Sequence, residues 1–217
     1  MSTPQLDDQE LAFLQIINDY RHENGMGPLQ VSIKLTNAAR WMSQDMANKN
    51  YFSHTDSLGR NPFTRINAFG YTYNAWKGEN LAAGNASAAA TFCQLRDACD
   101  PDSTGKCTYA HRQNMLNPNF KVIGINRYNN NNSTYRWYWT TDFGGYVDDL
   151  IPTSPSTTKH YNNTNELCQA NSTFNSNQSS TYAESQSTSM SINWLWFIII
   201  IVIILFIIYF LYKRKDI

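Results

Sequence analysis

From Trp194 to Tyr212 the chain runs for 19 residues without a charge, a proline or a glycine. A bilayer core of ~30 Å takes about 20 apolar residues at ~1.5 Å rise each. This run is therefore expected to form a single transmembrane helix. Trp194 and Trp196 stand near one end, Tyr209 and Tyr212 near the other. Such rings favour the two membrane–water boundaries. A buried core helix is the ordinary alternative, but a chain of 217 residues is too small to surround a helix that is apolar on every side.

The span divides the rest of the chain. Residues 213–217 form a short basic tail with Lys213, Arg214 and Lys215. Residues 152–193 are rich in Ser, Thr, Asn and Gln and offer too little apolar surface to offset the entropy of ordering. A flexible stalk is expected there. Residues 1–151 remain for one folded domain with its own core. The first 30 residues carry Asp7, Asp8 and Glu10 and no apolar run, so no secretory signal is expected. A lone C-terminal span then suggests a cytosolic domain, whereas the basic tail favours a domain on the far side. The side of the membrane stays open. Six Asn-x-Ser/Thr sequons, at Asn85, Asn131, Asn132, Asn162, Asn171 and Asn177, fit a glycosylated surface domain. With 25 asparagines in the chain, sequons also arise by chance.

Lys and Arg total 17 and Asp and Glu total 17, so the net charge is zero. A nucleic-acid partner is not expected, because displacing counterions from phosphates takes a basic excess. The four cysteines, Cys93, Cys99, Cys107 and Cys168, allow three pairings. Cys99 and Cys107 bracket turn residues and are expected to close a small loop as a disulfide, which needs an oxidising environment.

Within the domain, apolar residues repeat at helical spacing over 8–24 and again from Ser32 to Asn50. Asp7 or Asp8 can cap the first helix and Ser32 the second. Shorter helices are expected over 61–69, 86–97 and 111–116. Residues 121–128 and 135–143 alternate as strands joined by the polar loop 129–133, and residues 70–81 are expected to add a third strand. Helices before a hairpin-paired sheet point to the α+β class.

Few residues in this domain bear reactive chemistry. His22 and Glu23 begin a HExxH-like run, but Met26 stands where the second histidine belongs, so a zinc-protease helix is excluded. His54 lies in the turn-rich stretch FSHTDSLGRNPF, and His111 in AHRQNML. Glu79, one of only five glutamates, sits in the apolar setting AWKGENLAAG, where a carboxylate is costly to bury without donors. Each of the three is ordinarily a local hydrogen-bonding residue. Together they form a candidate cleft.

The motifs FSHTDSLGRNPF, KGENLAAG, AHRQNMLNP, FKVIGI and YWTTDFG occur in this order, behind the opening INDYRHENGMGPLQVSIKLTNAARWMSQDMA. In this the chain resembles the CAP superfamily of cysteine-rich secretory, antigen 5 and pathogenesis-related 1 proteins. The resemblance covers about residues 11–144. It implies a three-layer α-β-α sandwich with an antiparallel central sheet. It also implies a cleft where two histidines and two glutamates converge. His54, Glu79 and His111 match three of the four. The helix expected to bring the second glutamate carries Cys93, Gln94, Leu95, Arg96 and Asp97 at the nearest positions, and Ala110 replaces the usual glycine.

Two imidazoles and a carboxylate suit zinc or another divalent metal ion. His54, Glu79 and His111 are therefore the expected metal ligands. No catalytic residue is assigned. The resemblance also implies binding of sterols or fatty acids. Phe69, Tyr71 and Trp76 have the aromatic spacing that sterol-binding relatives carry in this loop, although aromatics there also serve to pack a loop on its core. The expected function is a membrane-anchored binding module for a lipid or a protein partner at a surface. A metal-dependent hydrolase and an adhesive surface protein are the alternatives.

Overall fold

Asp7 opens the first helix as a capping box. Its side chain accepts from Gln9 N and Glu10 N, both at 2.9 Å, while Glu10 Oε2 accepts from Asp7 N at 2.8 Å. The other oxygen of Glu10 accepts from Asn126 Nδ2 and from Arg127 N, tying the helix start to the sheet. Burial lifts the Glu10 carboxyl to about 6, against the pull of these donors.

A computed structural model describes residues 3–153, 160–161 and 163–171. The expected membrane span, the basic tail and the stalk beyond residue 171 lie outside the described residues. Among the described residues no helix is long and apolar enough to cross a membrane. In chain order the elements are α1 (Asp8–Glu23), β1 (Gln30–Val31), α2 (Ile33–Lys49), α3 (Pro62–Ala68), β2 (Lys77–Ala83), α4 (Ala88–Asp97), α5 (Ala110–Met115), β3 (Val122–Asn129) and β4 (Trp137–Gly144). A last helix, α6, covers 164–171.

The strands form one sheet in the order β1-β3-β4-β2. β3 and β4 pair as the expected antiparallel hairpin, and β2 pairs antiparallel with β4. β1 runs parallel to β3, with Gln30 opposite Val122, so the sheet is mixed and not purely antiparallel. The many residues and several helices between β1 and β3 give the chain the length that a parallel return requires. The third strand begins at Lys77. The stretch 70–76, expected to be extended into that strand, is irregular: Tyr71 and Tyr73 pack inward while Trp76 is exposed.

Helices cover both faces. On one, Phe13, Ile16 and Ile17 of α1 and Phe92 of α4 pack with Ile123, Ile125, Trp139 and Phe143. On the other, Leu35 and Ala38 of α2 meet Val122, and Met42 and Met46 meet Tyr138. The closest approach is at Gly124, where a Cβ would lie 2.1 Å from the Leu35 carbonyl carbon. Only glycine lets α2 lie this near β3.

Both disulfides lie in this unit. Cys99 pairs with Cys107, as expected, and Cys93 pairs with Cys168. The second bond revises the stalk. Residues 160–161 and 163–171 belong to the folded unit: Tyr161 N donates to Asp19 Oδ2 at 2.9 Å, and Thr164 N and Oγ1 donate to the Glu23 carboxylate at 2.8 and 2.7 Å. Polar composition hid this, because Tyr161, Leu167 and Cys168 are its few apolar contacts with the core, and a buried disulfide and hydrogen bonds to α1 add to them.

Candidate functional site

β2 is an edge strand, and its side chains alternate between two helical layers. Glu79 faces α3 and the loop after α2. Its Oε1 lies 2.7 Å from His54 Nδ1, and its Oε2 pairs with the Arg65 guanidinium of α3. The side chains of Glu79 and Arg65 are 1% and 0% exposed, that of His54 53%. Arg65 also donates to the His54 carbonyl oxygen at 3.2 Å and reaches Asp56 Oδ2 at 3.6 Å. Asp56 in turn accepts from Arg60 Nε at 2.8 Å and from the amides of Leu58 and Arg60. Asn61 caps α3 through Thr64 N, and Pro62 occupies its first turn, which fixes where Arg65 emerges.

Asp142 lies beneath this cluster, opposite Glu79 in the β2–β4 register. It is wholly buried, and neither oxygen meets a hydrogen-bond partner. Burial, and then the Glu79 carboxylate, push the Asp142 carboxyl far above the usual carboxylate range, with Arg65 opposing. Three buried carboxylates, those of Asp56, Glu79 and Asp142, beside the two guanidiniums of Arg60 and Arg65 would leave a surplus negative charge in a water-poor space. This surplus raises the Asp142 carboxyl and favours its protonated form.

His111 is placed differently. Asn80, the neighbour of Glu79, points to the other layer, where its Nδ2 donates to the His111 carbonyl oxygen at 2.9 Å. Asn114 of the same helix donates to Asn80 Oδ1 and to the Glu79 carbonyl oxygen, closing α5 over the sheet edge. The His111 ring pairs through Nδ1 with Asp100 Oδ2 at 3.1 Å. The structure thus joins His54 to Glu79 and gives His111 a separate carboxylate.

Among the described residues no three His, Cys, Asp or Glu side chains are grouped so as to hold a metal ion. Both Glu79 oxygens are engaged, and the Arg65 guanidinium already supplies the positive charge that a divalent ion would bring. Among the described residues, zinc or a similar ion does not fit His54, Glu79 and His111 as one ligand set.

Residues 14–143 match the CAP family, described as the cysteine-rich secretory protein family. The chain belongs to the CAP family. An uncharacterised protein of Bacillus subtilis is 34% identical to this CAP chain over 119 residues, 54% of the chain and 41% of that protein. The chain therefore spans less than half of that relative. The CAP fold is shared with an outer surface protein of Borrelia burgdorferi at a TM-score of 0.53 and 18% identity, over 66% of this chain and 98% of the other. It is shared also with an extracellular SCP-domain protein of Bacillus anthracis at 0.50 and 21%, over 66% and 45%. At these identities the structural likeness speaks for the fold alone.

The aromatic trio of the CAP domain divides. Tyr71 is fully buried with Leu35, Ile66 and Val122. Its hydroxyl donates to the Tyr146 carbonyl oxygen at 2.7 Å and accepts from Tyr146 N at 2.9 Å. Phe69 packs on the same cluster and beside the Trp41 ring. Trp76 is 64% exposed, and with Phe63, Asn74, Ala75 and Lys77 it lines an open hollow of about 480 Å³. Phe69 and Tyr71 are thus packing residues, and only Trp76 is available to a ligand. Of the sequons, Asn131 and Asn132 are exposed on the hairpin loop and Asn171 ends α6. Asn85 donates to Gln94 Oε1 at 2.8 Å. Asn162 and Asn177 lie outside the described residues.

Sequence reasoning passed over Arg65, Asp142, Asp56 and Asp100. Asp142 shares with Tyr138 and Thr140 the face of β4 that is buried under α2. An arginine or aspartate set in an apolar stretch is the available signal, and Arg65 between Phe63 and Ile66 shows it.

Proposed function

We propose that this CAP chain is a membrane-anchored, non-catalytic binding module that takes a sterol or fatty acid at the hollow beside Trp76. The observation that carries the reading is the pair of exposed aromatics, Phe63 at 52% and Trp76 at 64%, flanking that hollow. Large exposed rings beside a concavity mark binding surfaces more often than packing. The apolar run 194–212 supports the lipid class, because an anchor of that length keeps its domain at high effective concentration of membrane lipid. The zero net charge supports a neutral or amphipathic ligand over nucleic acid. The test uses the full chain in detergent micelles with radiolabelled cholesterol and palmitate. Saturable uptake is expected, weakened about tenfold or more in Trp76→Ala, which corresponds to roughly 1.4 kcal/mol. His54→Ala is expected to leave uptake unchanged. Uptake indifferent to Trp76→Ala overturns the reading.

One observation favours a second reading, a hydrolase. Glu79 holds His54 by Nδ1, which leaves Nε2 of a half-exposed imidazole free to take a proton. A buried carboxylate orienting an imidazole is how a general base is built. Ester hydrolysis lost in both His54→Ala and Glu79→Gln would support it. Hydrolysis absent from the wild-type chain removes it.

A further inference from the structure

Asp100, the partner of His111, is adjacent in sequence to Cys99, and the contact between Asp100 and His111 is carried by the loop that the Cys99–Cys107 disulfide closes. Residues 101–106 are all exposed, so core packing contributes nothing to the order of this loop. Its internal bonds are local and lie at the surface: Asp102 Oδ1 accepts from Thr104 N, Thr104 Oγ1 and Lys106 N, and Gly105 N donates to the Asp102 carbonyl oxygen. Thr108 N and Oγ1 both donate to the Asp100 carbonyl oxygen at 2.8 Å, and Asp102 N donates to the Lys106 carbonyl oxygen at 2.9 Å. The loop then runs straight into α5 through Tyr109, a non-glycine residue at φ +54 with no side-chain cap, and His111 is the second residue of that helix. The two disulfides differ in access. Cys93 and Cys168 are both buried, whereas Cys99 is exposed.

We propose that Cys99–Cys107 is a thiol-removable clamp that holds Asp100 on His111, so that a dithiol reductant releases this imidazole while Cys93–Cys168 stays closed. The exchange balances as follows. A thiolate of the dithiol attacks Cys99 Sγ, the protein S–S bond breaks, and Cys107 Sγ leaves as a thiolate that takes up a proton. The second thiol of the reductant, as its thiolate, attacks the mixed disulfide and frees Cys99 as a thiol after protonation. The dithiol ends as its own disulfide, and two electrons and two protons have passed to the protein. The consequence lies at His111. Asp100 accepts from Nδ1 and so selects the imidazole tautomer with the proton on that nitrogen. Without the clamp that selection is lost. His54, whose partner Glu79 is held in the buried cluster, is unaffected.

The experiment uses the full chain in detergent micelles, with nitrogen-15 in its histidines, titrated with dithiothreitol. Alkylation and mass spectrometry read which cysteines open, and side-chain NMR reads the tautomers. Cys99 and Cys107 are expected to open at a concentration about tenfold or more below that needed for Cys93 and Cys168, in line with their exposure. At that point the His111 nitrogens should shift from the Nδ1-protonated pattern toward a mixture, with those of His54 unmoved. Asp100→Asn should produce the mixed pattern in the oxidised chain and make reduction silent at His111. Joint or reversed opening of the two disulfides overturns the proposal, and so does a His111 spectrum unchanged by reduction.

Discussion

Three imidazoles among the described residues meet a carboxylate, and two of these pairs, His54–Glu79 and His111–Asp100, are built in opposite ways. His54–Glu79 rests on the sheet. Glu79 sits in β2, Arg65 arrives from α3, Asp142 lies behind in β4, and little of the cluster besides the imidazole meets water. His111–Asp100 rests on a small exposed loop and a disulfide, with a six-residue helix behind it. The first pair is over-determined by burial, so removing Arg65 or Glu79 leaves a charge without compensation. The second is determined by covalent closure, so it yields to a change that barely touches the core.

That contrast can be broken first at Arg65. Arg65→Ala strands the Glu79 carboxylate in a water-poor site and is expected to cost about 3–5 kcal/mol, read by denaturant unfolding of the full chain in micelles. A loss below about 1 kcal/mol would mean that water reaches the cluster. Replacing both Cys93 and Cys168 by serine should cost roughly 2–4 kcal/mol and raise amide exchange across 160–171, since this bond alone joins α6 covalently to α4. Exchange unchanged in that segment would show that its hydrogen bonds to Asp19 and Glu23 suffice.

Asp142 offers a sharper test through pH. Its folded pKa lies above the unfolded value, so its contribution to stability is fully present below about pH 4 and is lost as pH rises through the folded pKa. Asp142→Asn, which imitates the neutral acid, removes that loss. The variant should gain on the wild type as pH rises from 4, by at most about 1.4 kcal/mol per pH unit. Parallel stability curves for the two chains would show an ionised Asp142. The smallest effect belongs to the second pair: Asp100→Ala should change stability by less than about 1 kcal/mol, with the visible change confined to the His111 side-chain spectrum.

The helices and the hairpin were legible because their signals are local. Asp7 with Glu10, Ser32, and Asn61 with Pro62 announce helix starts through bonds made within three residues. The alternation from Trp137 to Phe143 marks a strand by itself. β1 escaped because two residues carry no period, and its parallel pairing depends on where the chain returns. Of the candidate site, His54 and Glu79 were found and do meet. Their supports were not, because Arg65 and Asp142 reach Glu79 only through folding, across separations of 14 and 63 residues in this numbering.

The linear chain determined the inventory: which segments turn into helices or strands, where the candidate carboxylate and imidazoles lie, and that a 19-residue apolar run stands apart from the rest of the sequence. Tertiary structure alone decided the partnerships. Strand alternation sent Glu79 and Asn80 to opposite layers, so His54 and His111 received different carboxylates. Covering both faces of the sheet made Asp142 a buried carboxyl beside Glu79. Partnership depends on long-range geometry and on the exclusion of water, and neither has a signature within a few residues of sequence.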